Sequence, residues 1–579
     1  MVNDGFHPGG AEVKKTGSQV LFRTLQKENA DTIFGYPGGS VMDIYDEMFR
    51  QKDIRHILVR HEQGAIHAAD GFARASGKVG VCLVTSGPGA TNTVTGIANA
   101  HLDSIPVVVF TGQVPTHMIG NDAFQEVDIT GITRSCTKHN YLVRRIEDLA
   151  RTVREAFHIA RSGRPGPVLV DLPKDVMQSS IEESEIVDEV NLNGTSAYPD
   201  IEEDCVRAFK LLKEARRPLV FAGGGIILGK ACEDLRAFVK HLRVPVISSL
   251  MGLGAFPGSN PLSLGMVGMH GTYYANMAIS NCDLLFAVGV RFDDRVTSKI
   301  DAFAPHAKIV HIDIDPVSLE RTVRTDIPIL SGSKKALETF NRLIAEETFS
   351  YPAEQTREWL EQVATWKKRV PLGYCRSQRI KPQYVVEKLY EITGGDAIIT
   401  TEVGQNQMWA AQFYKFDHPN SFITSGGLGT MGFGFPAAIG AQVARPDRTV
   451  VDIAGDGSIQ MNIQELATAV TQQIPVKIVI LNNLYLGMVR QWQELYYGKR
   501  YSQSHINSGP DFVKLAEAYG AVGLRTDKPE EVKRVLTKGL NTEGPVIMDI
   551  RVEPEEGVFP IVKPGAPLTE MNLGRQTTL

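Results

Sequence analysis

At 579 residues the chain exceeds what one hydrophobic core can organise, so about three domains are expected. Hydrophobic residues at 43%, charged residues at 22% and a net charge of −5 describe an ordinary globular chain, and Lys plus Arg (61) are outnumbered by Asp plus Glu (66), which excludes a basic footprint for nucleic acid. No apolar run approaches the roughly 18–20 residues of a membrane span, and the opening MVNDGFHPGGAEVKK resembles neither a signal nor a transit peptide.

Six scattered cysteines (Cys82, Cys136, Cys205, Cys232, Cys282, Cys375) form no CxxC pair and read as reduced thiols, the usual state in the cytoplasm. Short Val/Ile/Leu-rich runs alternate with helix-prone stretches throughout, which predicts parallel sheets covered by helices on both faces. A first block, about 14–180, carries HILVR, VGVCLVTSG, IPVVVFTG and GPVLVDLP as strands. The polar stretch 181–204 reads as a linker. A second block, about 200–345, carries RPLVFAGGGIILG, CDLLFAVGVRFDDR and KIVHIDID, and a charged, helix-prone connector follows over about 334–379. A third block covers about 380–553, and the Pro/Gly-rich tail 554–579 shows no clear element of its own. The first and third blocks share a strand-then-glycine rhythm without a literal repeat, so any kinship between them must be structural.

The third block holds the most informative pattern. The apolar run VVDIA ends in Gly455-Asp456-Gly457, and VKIVIL ends in Asn482-Asn483 after 24 intervening residues. Either motif alone is equally a sharp turn, because Asp, Asn and Gly suit turn geometry. The interval between them fits one helix and one strand, so two adjacent strand ends would share a crevice. Glycines let backbone amides approach an anion there. Asp456 offers a hard oxygen and Asn483 a second, the sparse ligand set of Mg²⁺ bound with phosphate.

This spacing resembles the thiamine diphosphate signature. The resemblance implies Asp456, Asn483 and the Tyr485 carbonyl as Mg²⁺ ligands, with Gly457 and Ser458 near the diphosphate and Gly487 and Met488 beside it. Gln405 and Asn406 would also lie near the diphosphate, although the family commonly has His at the latter position. Within SGGLGTMGFGFPAAIGA, Gly429 would hold the aminopyrimidine through its carbonyl and Met431 would wedge between the cofactor rings. Glu62, in RHEQGA, matches the glutamate that activates the cofactor; taken alone it is a carboxylate favoured by a first helical turn.

Motifs in all three blocks (GQVPTHMIGNDAFQEVDITG, GRPGPVLVDLPKDV, VGMHGT, GVRFDDRV, LGMVRQWQELYY) resemble the acetolactate (acetohydroxyacid) synthase large-subunit family. The family implies an α/β chain of three doubly wound parallel-sheet domains, with pyruvate-oxidase/decarboxylase-like architecture. It further implies decarboxylation of pyruvate and transfer of the hydroxyethyl group to a second pyruvate or to 2-ketobutyrate, in branched-chain amino acid biosynthesis. Gln125 and Lys174 match catalytic positions at the substrate approach, with Phe124, Arg295, Met488 and Trp492 as further substrate contacts. FAD in a structural role is implied on Arg164, Gly223, Gly224, Gly225, Leu250, Met269, His270, Gly289, Arg291, Asp293 and Asp313. Read alone, FAGGGIILG misses the GxGxxG pattern at Leu228. Ser331-Gly332 stands where the family usually shows Gly-Asp, and Ser40 where it often has Ala. Expected partners are small 2-keto acids, further copies of the chain as homodimer or homotetramer, and a separate small regulatory subunit. The alternatives are an FAD-dependent pyruvate oxidase, told apart by pyruvate-dependent electron transfer to the flavin, and a noncatalytic cofactor-binding paralogue.

Overall fold

The computed structural model describes residues 14–187, 199–506 and 509–574. The chain divides into two compact units, one of residues 1–73 and 78–195 and the other of residues 74–77 and 196–579. Three six-stranded, all-parallel sheets are present, one in the first unit and two in the second, each flanked by helices. The expected α/β class with three doubly wound parallel-sheet domains is therefore observed.

In the first unit the strands lie in the spatial order Arg55–Leu58, Thr32–Tyr36, Gly80–Val84, Val107–Gln113, Val168–Pro173, His139–Leu142. Two of these, Thr32–Tyr36 and His139–Leu142, mix apolar residues with Thr and Gly or with His and Asn, and were not legible as strands. A small antiparallel ribbon pairs Lys14–Thr16 with Ser180–Glu182, and the helix Gly17–Lys27 starts on a capping box between Thr16 and Gln19.

The second unit contains the other two sheets. Its first has the order Ser263–Met266, Val246–Ser248, Pro218–Ala222, Leu284–Val288, Lys308–Asp313, Ile327–Leu330, which is the 3-2-1-4-5-6 order of dinucleotide-binding folds. Alternate residues of one strand feed opposite cores: Val220 and Ala222 join Phe238, Phe286 and Phe340, whereas Leu219 and Phe221 join Ile247, Leu285 and Trp359. Both faces are buried, which is why the strand reads as an uninterrupted apolar run. The supposed connector is two helices, Ser333–Glu346 and Ala353–Arg369. The first belongs to this sheet's core through Ala336, Leu337, Phe340 and Ile344, its apolar stripe hidden among charges in the sequence.

The last sheet runs Phe422–Ile423, Ile398–Thr401, Val450–Gly455, Lys477–Asn482, Val546–Arg551, Val522–Thr526. Numbered along the chain this is 2-1-3-4-6-5, the same order as the first sheet. The kinship suspected from rhythm alone is thus one of topology.

The tail does hold structure over its described part, which corrects the reading of 554–579. Ile561–Val562 pairs antiparallel with Met571–Asn572, and Val562 and Leu568 are buried in the core beneath the 3-2-1-4-5-6 sheet. Val558, Ile561, Val562 and Leu568 are all buried, but their irregular spacing in a Pro/Gly-rich context shows no period. Of the expected linker, 181–182 belongs to the ribbon and the helix Glu202–Glu214 begins before its end; 188–198 lie outside the described residues, as does most of the N-terminal stretch. All six cysteines are free, four of them buried. No helix among the described residues is long and apolar enough to cross a membrane.

Candidate active site

In an open parallel sheet a ligand crevice forms where two neighbouring strands send their chains to opposite faces. In the last sheet that point lies between Ile398–Thr401 and Val450–Gly455, and a cavity opens at their carboxyl ends. It is lined by Gly404, Gln405, Asn406, Trp409 and Met431 on one side, and by Asp456, Gly457, Ser458, Asn483, Tyr485, Gly487 and Met488 on the other. Every residue that the sequence assigned to the diphosphate and metal is here. Gly429 is held in the left-handed region (φ 73°) two residues before Met431.

Asp456 is 3% exposed and its Oδ1 has no hydrogen-bond partner. Burial pushes its carboxyl up to about 7, opposed by backbone hydrogen bonds from its own segment and from Asn483. A buried carboxylate oxygen left without a donor is costly unless a cation or proton meets it. The Asn483 amide has a fixed sense: Nδ2 donates to Gln405 Oε1 at 3.2 Å, and Oδ1 accepts from the Tyr485 N–H at 3.0 Å. At Gly487 an added Cβ would lie 2.0 Å from Gln405 Oε1 and 2.7 Å from Asn483 Nδ2, so any other residue must displace these two amides. Asn406 donates to the carbonyls of Glu402 and Ile453, both at 2.8 Å, which ties the two strand ends together. A hard cation and an anionic diphosphate fit this donor set.

Two carboxylates beneath the crevice escaped the sequence reading. Glu402 is fully buried and accepts N–H bonds from Gly432 (2.6 Å) and Phe435 (3.0 Å), clamping the Met431 loop at the start of the helix Gly434–Ala444. Asp452 is also fully buried; its Oδ1 accepts from Thr400 at 3.2 Å and its Oδ2 has no partner. Burial raises both carboxyls, Glu402 to about 7. The available signal was an Asp inside the apolar strand VVDIA.

In the first unit Glu62 begins the helix Glu62–Ser76, as expected, and its Oε2 accepts from Asn92 Nδ2 at 2.9 Å. Gln125 has a left-handed backbone (φ 60°) and packs on Gly87, where a Cβ would lie 2.9–3.0 Å from it. Lys174 Nζ donates to the Gly39 carbonyl at 3.2 Å. Gly39 and Gly87 follow the adjacent strands Thr32–Tyr36 and Gly80–Val84, the corresponding switch point of this sheet. Phe124, 89% exposed, stands beside Gln125. The loop carrying both is anchored through Gln113, whose Nε2 donates to the Val127 carbonyl and to the buried Asp171, both at 2.9 Å. Ser40 Oγ accepts from the Ser86 N–H at 3.0 Å and bonds Thr85 Oγ1 at 2.9 Å.

The switch point of the dinucleotide-type sheet lies between Pro218–Ala222 and Leu284–Val288. Gly223, Gly224 and Gly225 follow one strand and Gly289 the other, and a Cβ on Gly223 would come within 1.9 Å of the Gly289 carbonyl. Leu250 opens a single turn after Val246–Ser248, and Asp313 ends the strand Lys308–Asp313. The Met269 N–H donates to the Arg295 carbonyl at 2.8 Å, and burial lowers the neighbouring His270 to about 4. Arg291 lies just beyond Gly289, and Asp293 caps the short helix Asp294–Thr297. Arg295 is exposed and lies 3.5 Å from Asp294. The departing pair Ser331-Gly332 follows Ile327–Leu330 directly, with the Ser331 N–H on the Asp313 carbonyl. Arg164 lies in the first unit, its Nε donating to Ser104 Oγ at 2.8 Å.

Family models match each sheet region: "Thiamine pyrophosphate enzyme, N-terminal TPP binding domain" over 15–132, the central domain of the same enzymes over 206–340, and the C-terminal TPP binding domain over 402–550. The acetolactate synthase isozyme 3 large subunit of Escherichia coli is 49% identical over 570 residues, covering 97% of this chain and 99% of the relative. The chain belongs to the acetolactate synthase large-subunit family of thiamine pyrophosphate enzymes. A probable acetolactate synthase large subunit of Methanocaldococcus jannaschii is likewise 49% identical over 569 residues (96% and 95% covered), and an acetolactate synthase of Mycobacterium bovis is 48% identical over 569 (97% and 92%). The word "large" in the first two names marks members of this family that work with a separate smaller subunit.

Proposed function

We propose that the chain decarboxylates pyruvate with thiamine diphosphate and Mg²⁺ and transfers the two-carbon unit to a second pyruvate or to 2-ketobutyrate. The observation that carries this reading is the buried, unpartnered Asp456 Oδ1 at a switch-point crevice, beside an Asn483 of fixed sense, in a chain of this family. Bound there, the thiazolium supplies the electron sink that decarboxylation of a 2-keto acid requires.

The chain's own residues do the rest. Asp456, Asn483 and the Tyr485 carbonyl would hold Mg²⁺, with Gly457 and Ser458 at the diphosphate. Gly429 and Met431 would hold the cofactor's rings, on a loop fastened by Glu402. Glu62, its carboxylate oriented by Asn92, would meet the aminopyrimidine held by a partner chain, which calls for at least a homodimer. Gln125 and Lys174 bind the keto-carboxylate, donor and cation against its oxygens. Trp492 favours the larger acceptor. The glycine-lined switch point at Gly223–Gly225 and Gly289 would hold FAD in a structural role, with Asp313 as the acidic group for a ribose hydroxyl. Branched-chain amino acid biosynthesis in the cytoplasm, with a small regulatory subunit, is the setting.

Product analysis tests the proposal. Supplied with Mg²⁺, thiamine diphosphate and FAD, the protein should form acetolactate from pyruvate, and acetohydroxybutyrate when 2-ketobutyrate is added. Acetaldehyde or acetate as the sole product would overturn it.

A further inference from the structure

The diphosphate crevice and the glycine-lined switch point lie in the same unit, and two elements connect them. The first is the helix Gln405–Phe413. At its start Gln405 accepts from Asn483; near its end Gln412 Nε2 donates to the His270 carbonyl at 2.9 Å and to the Phe559 carbonyl at 3.3 Å. Seven residues of helix separate the two glutamines by about 10 Å of rigid rod.

The second element is the C-terminal strap that follows the last sheet. Gln405 Nε2 donates to Gln491 Oε1 at 2.8 Å and to the Glu556 carbonyl at 3.1 Å. Gln491 then takes both backbone groups of Val558, accepting from its N–H at 2.8 Å and donating to its carbonyl at 2.9 Å. Four residues on, the Val562 N–H donates to the Met269 carbonyl at 2.9 Å. Ser298 Oγ bonds the Ala566 carbonyl at 2.8 Å further along. Lys381 holds the near end of the strap, 2.7 Å from Glu553 and paired with Glu556.

The amide chain has one consistent sense. Asn483 donates to Gln405, Gln405 to Gln491, and Gln491 to Val558; reversing any one would set N–H against N–H. The orientation of Asn483 is therefore fixed by a strap whose other end sits on Met269 and His270. A group that draws on the Asn483 oxygen tightens the chain, and the same strap and helix hold the loop at Met269 and His270.

We propose that Gln491 and Gln412 are positioning residues at the two ends of one device, through which the metal–diphosphate site and the flavin site strengthen each other. This rests on the cofactor reading above. FAD binding to cofactor-free protein, followed by flavin fluorescence with and without saturating Mg²⁺ and thiamine diphosphate, measures it. The FAD Kd should fall by about five-fold or more, and by reciprocity the thiamine diphosphate Kd should fall by the same factor when FAD is saturating. In Gln412→Met and Gln491→Met, checked for native circular dichroism, that factor should drop to about one. A factor of one in the unaltered protein, or a full factor surviving in either folded variant, overturns the coupling while leaving the cofactor reading intact. Failure of FAD or thiamine diphosphate to bind at all overturns both.

Discussion

The Asn92 amide donates to Glu62 Oε2 at 2.9 Å, so the carboxylate that opens the helix Glu62–Ser76 is held by a residue 30 positions along the chain. Glu62→Gln should abolish nearly all turnover with the fold retained. Asn92→Ala frees the carboxylate without removing it, and a loss of about 10- to 100-fold is expected, the usual cost of an outer partner. Steady-state kinetics at saturating cofactors, with thermal unfolding as control, decides; unchanged turnover in Glu62→Gln refutes its role.

If Asp456 ligates Mg²⁺ as proposed, metal binding and pH become interdependent. Its carboxyl is raised to about 7 in the folded chain, against about 4 when unfolded. A raised carboxyl favours the folded state below about pH 4 and gives that contribution up as pH climbs through 7. Mg²⁺ with thiamine diphosphate should restore it, so the rise in Tm on adding them should be larger at pH 8 than at pH 6. Asp456→Asn should flatten this difference and raise the Mg²⁺ requirement about 100-fold. Equal Tm gains at both pH values would count against the assignment.

Glu402 and Asp452 predict a second pH effect of the same sign. Both are fully buried with raised carboxyls, and Asp452 Oδ2 has no partner. Stability should decline between about pH 4 and pH 8 as the shared burden of charge grows. Asp452→Asn should make Tm less dependent on pH across that range, whereas Glu402→Leu, which strands the N–H groups of Gly432 and Phe435, should destabilise at every pH by roughly 1–3 kcal/mol for each donor. A Tm profile for Asp452→Asn that parallels the unaltered protein would exclude charge as the cause.

Gly487→Ala probes packing instead of charge. The new methyl would overlap Gln405 Oε1 and crowd Asn483, so Mg²⁺ and thiamine diphosphate affinity should fall while the global fold persists. Isothermal titration with the cofactor would show it, and native affinity would mean the crevice relaxes freely.

Trp492 stacks edge-on against Tyr496, with ring centroids 5.6 Å apart and a buried indole nitrogen. Trp492→Leu should lower the preference for 2-ketobutyrate over pyruvate by about 10- to 200-fold, the range for one methylene against a shaped surface. Competition between the two acceptors in one assay reads the ratio directly, and an unaltered ratio places the preference elsewhere.

Most strands that sequence reasoning found, such as PLVFA and KIVIL, are continuous apolar runs buried on both faces, whereas the strand found through HILVR, Arg55–Leu58, has a single fully buried residue. Of those it missed, Phe422–Ile423 is only two residues long, while Thr32–Tyr36 (TIFGY) is mostly buried but its apolar residues are broken by a glycine. The placement of Asp456 and Asn483 in one crevice was legible because a fixed interval linked two strand ends. Gln491 was not: a glutamine one position before a tryptophan on an amphipathic helix carries no local mark, and its meaning comes from Val558, 67 residues away. Glu402 likewise looks like a strand-end acid until the N–H groups of Gly432 and Phe435 are seen on it.

The identical strand order of the first and last sheets divides labour within one chain. Each scaffold offers the same kind of opening, yet one end furnishes Glu62, Gln125 and Lys174 and the other Asp456 and Asn483. Neither set repeats the other's chemistry. Two sheets of one topology with different residues at their edges let one edge be altered without touching the other, so on the proposed roles substitutions at Gln125 or Lys174 should shift substrate use and leave cofactor affinity unchanged.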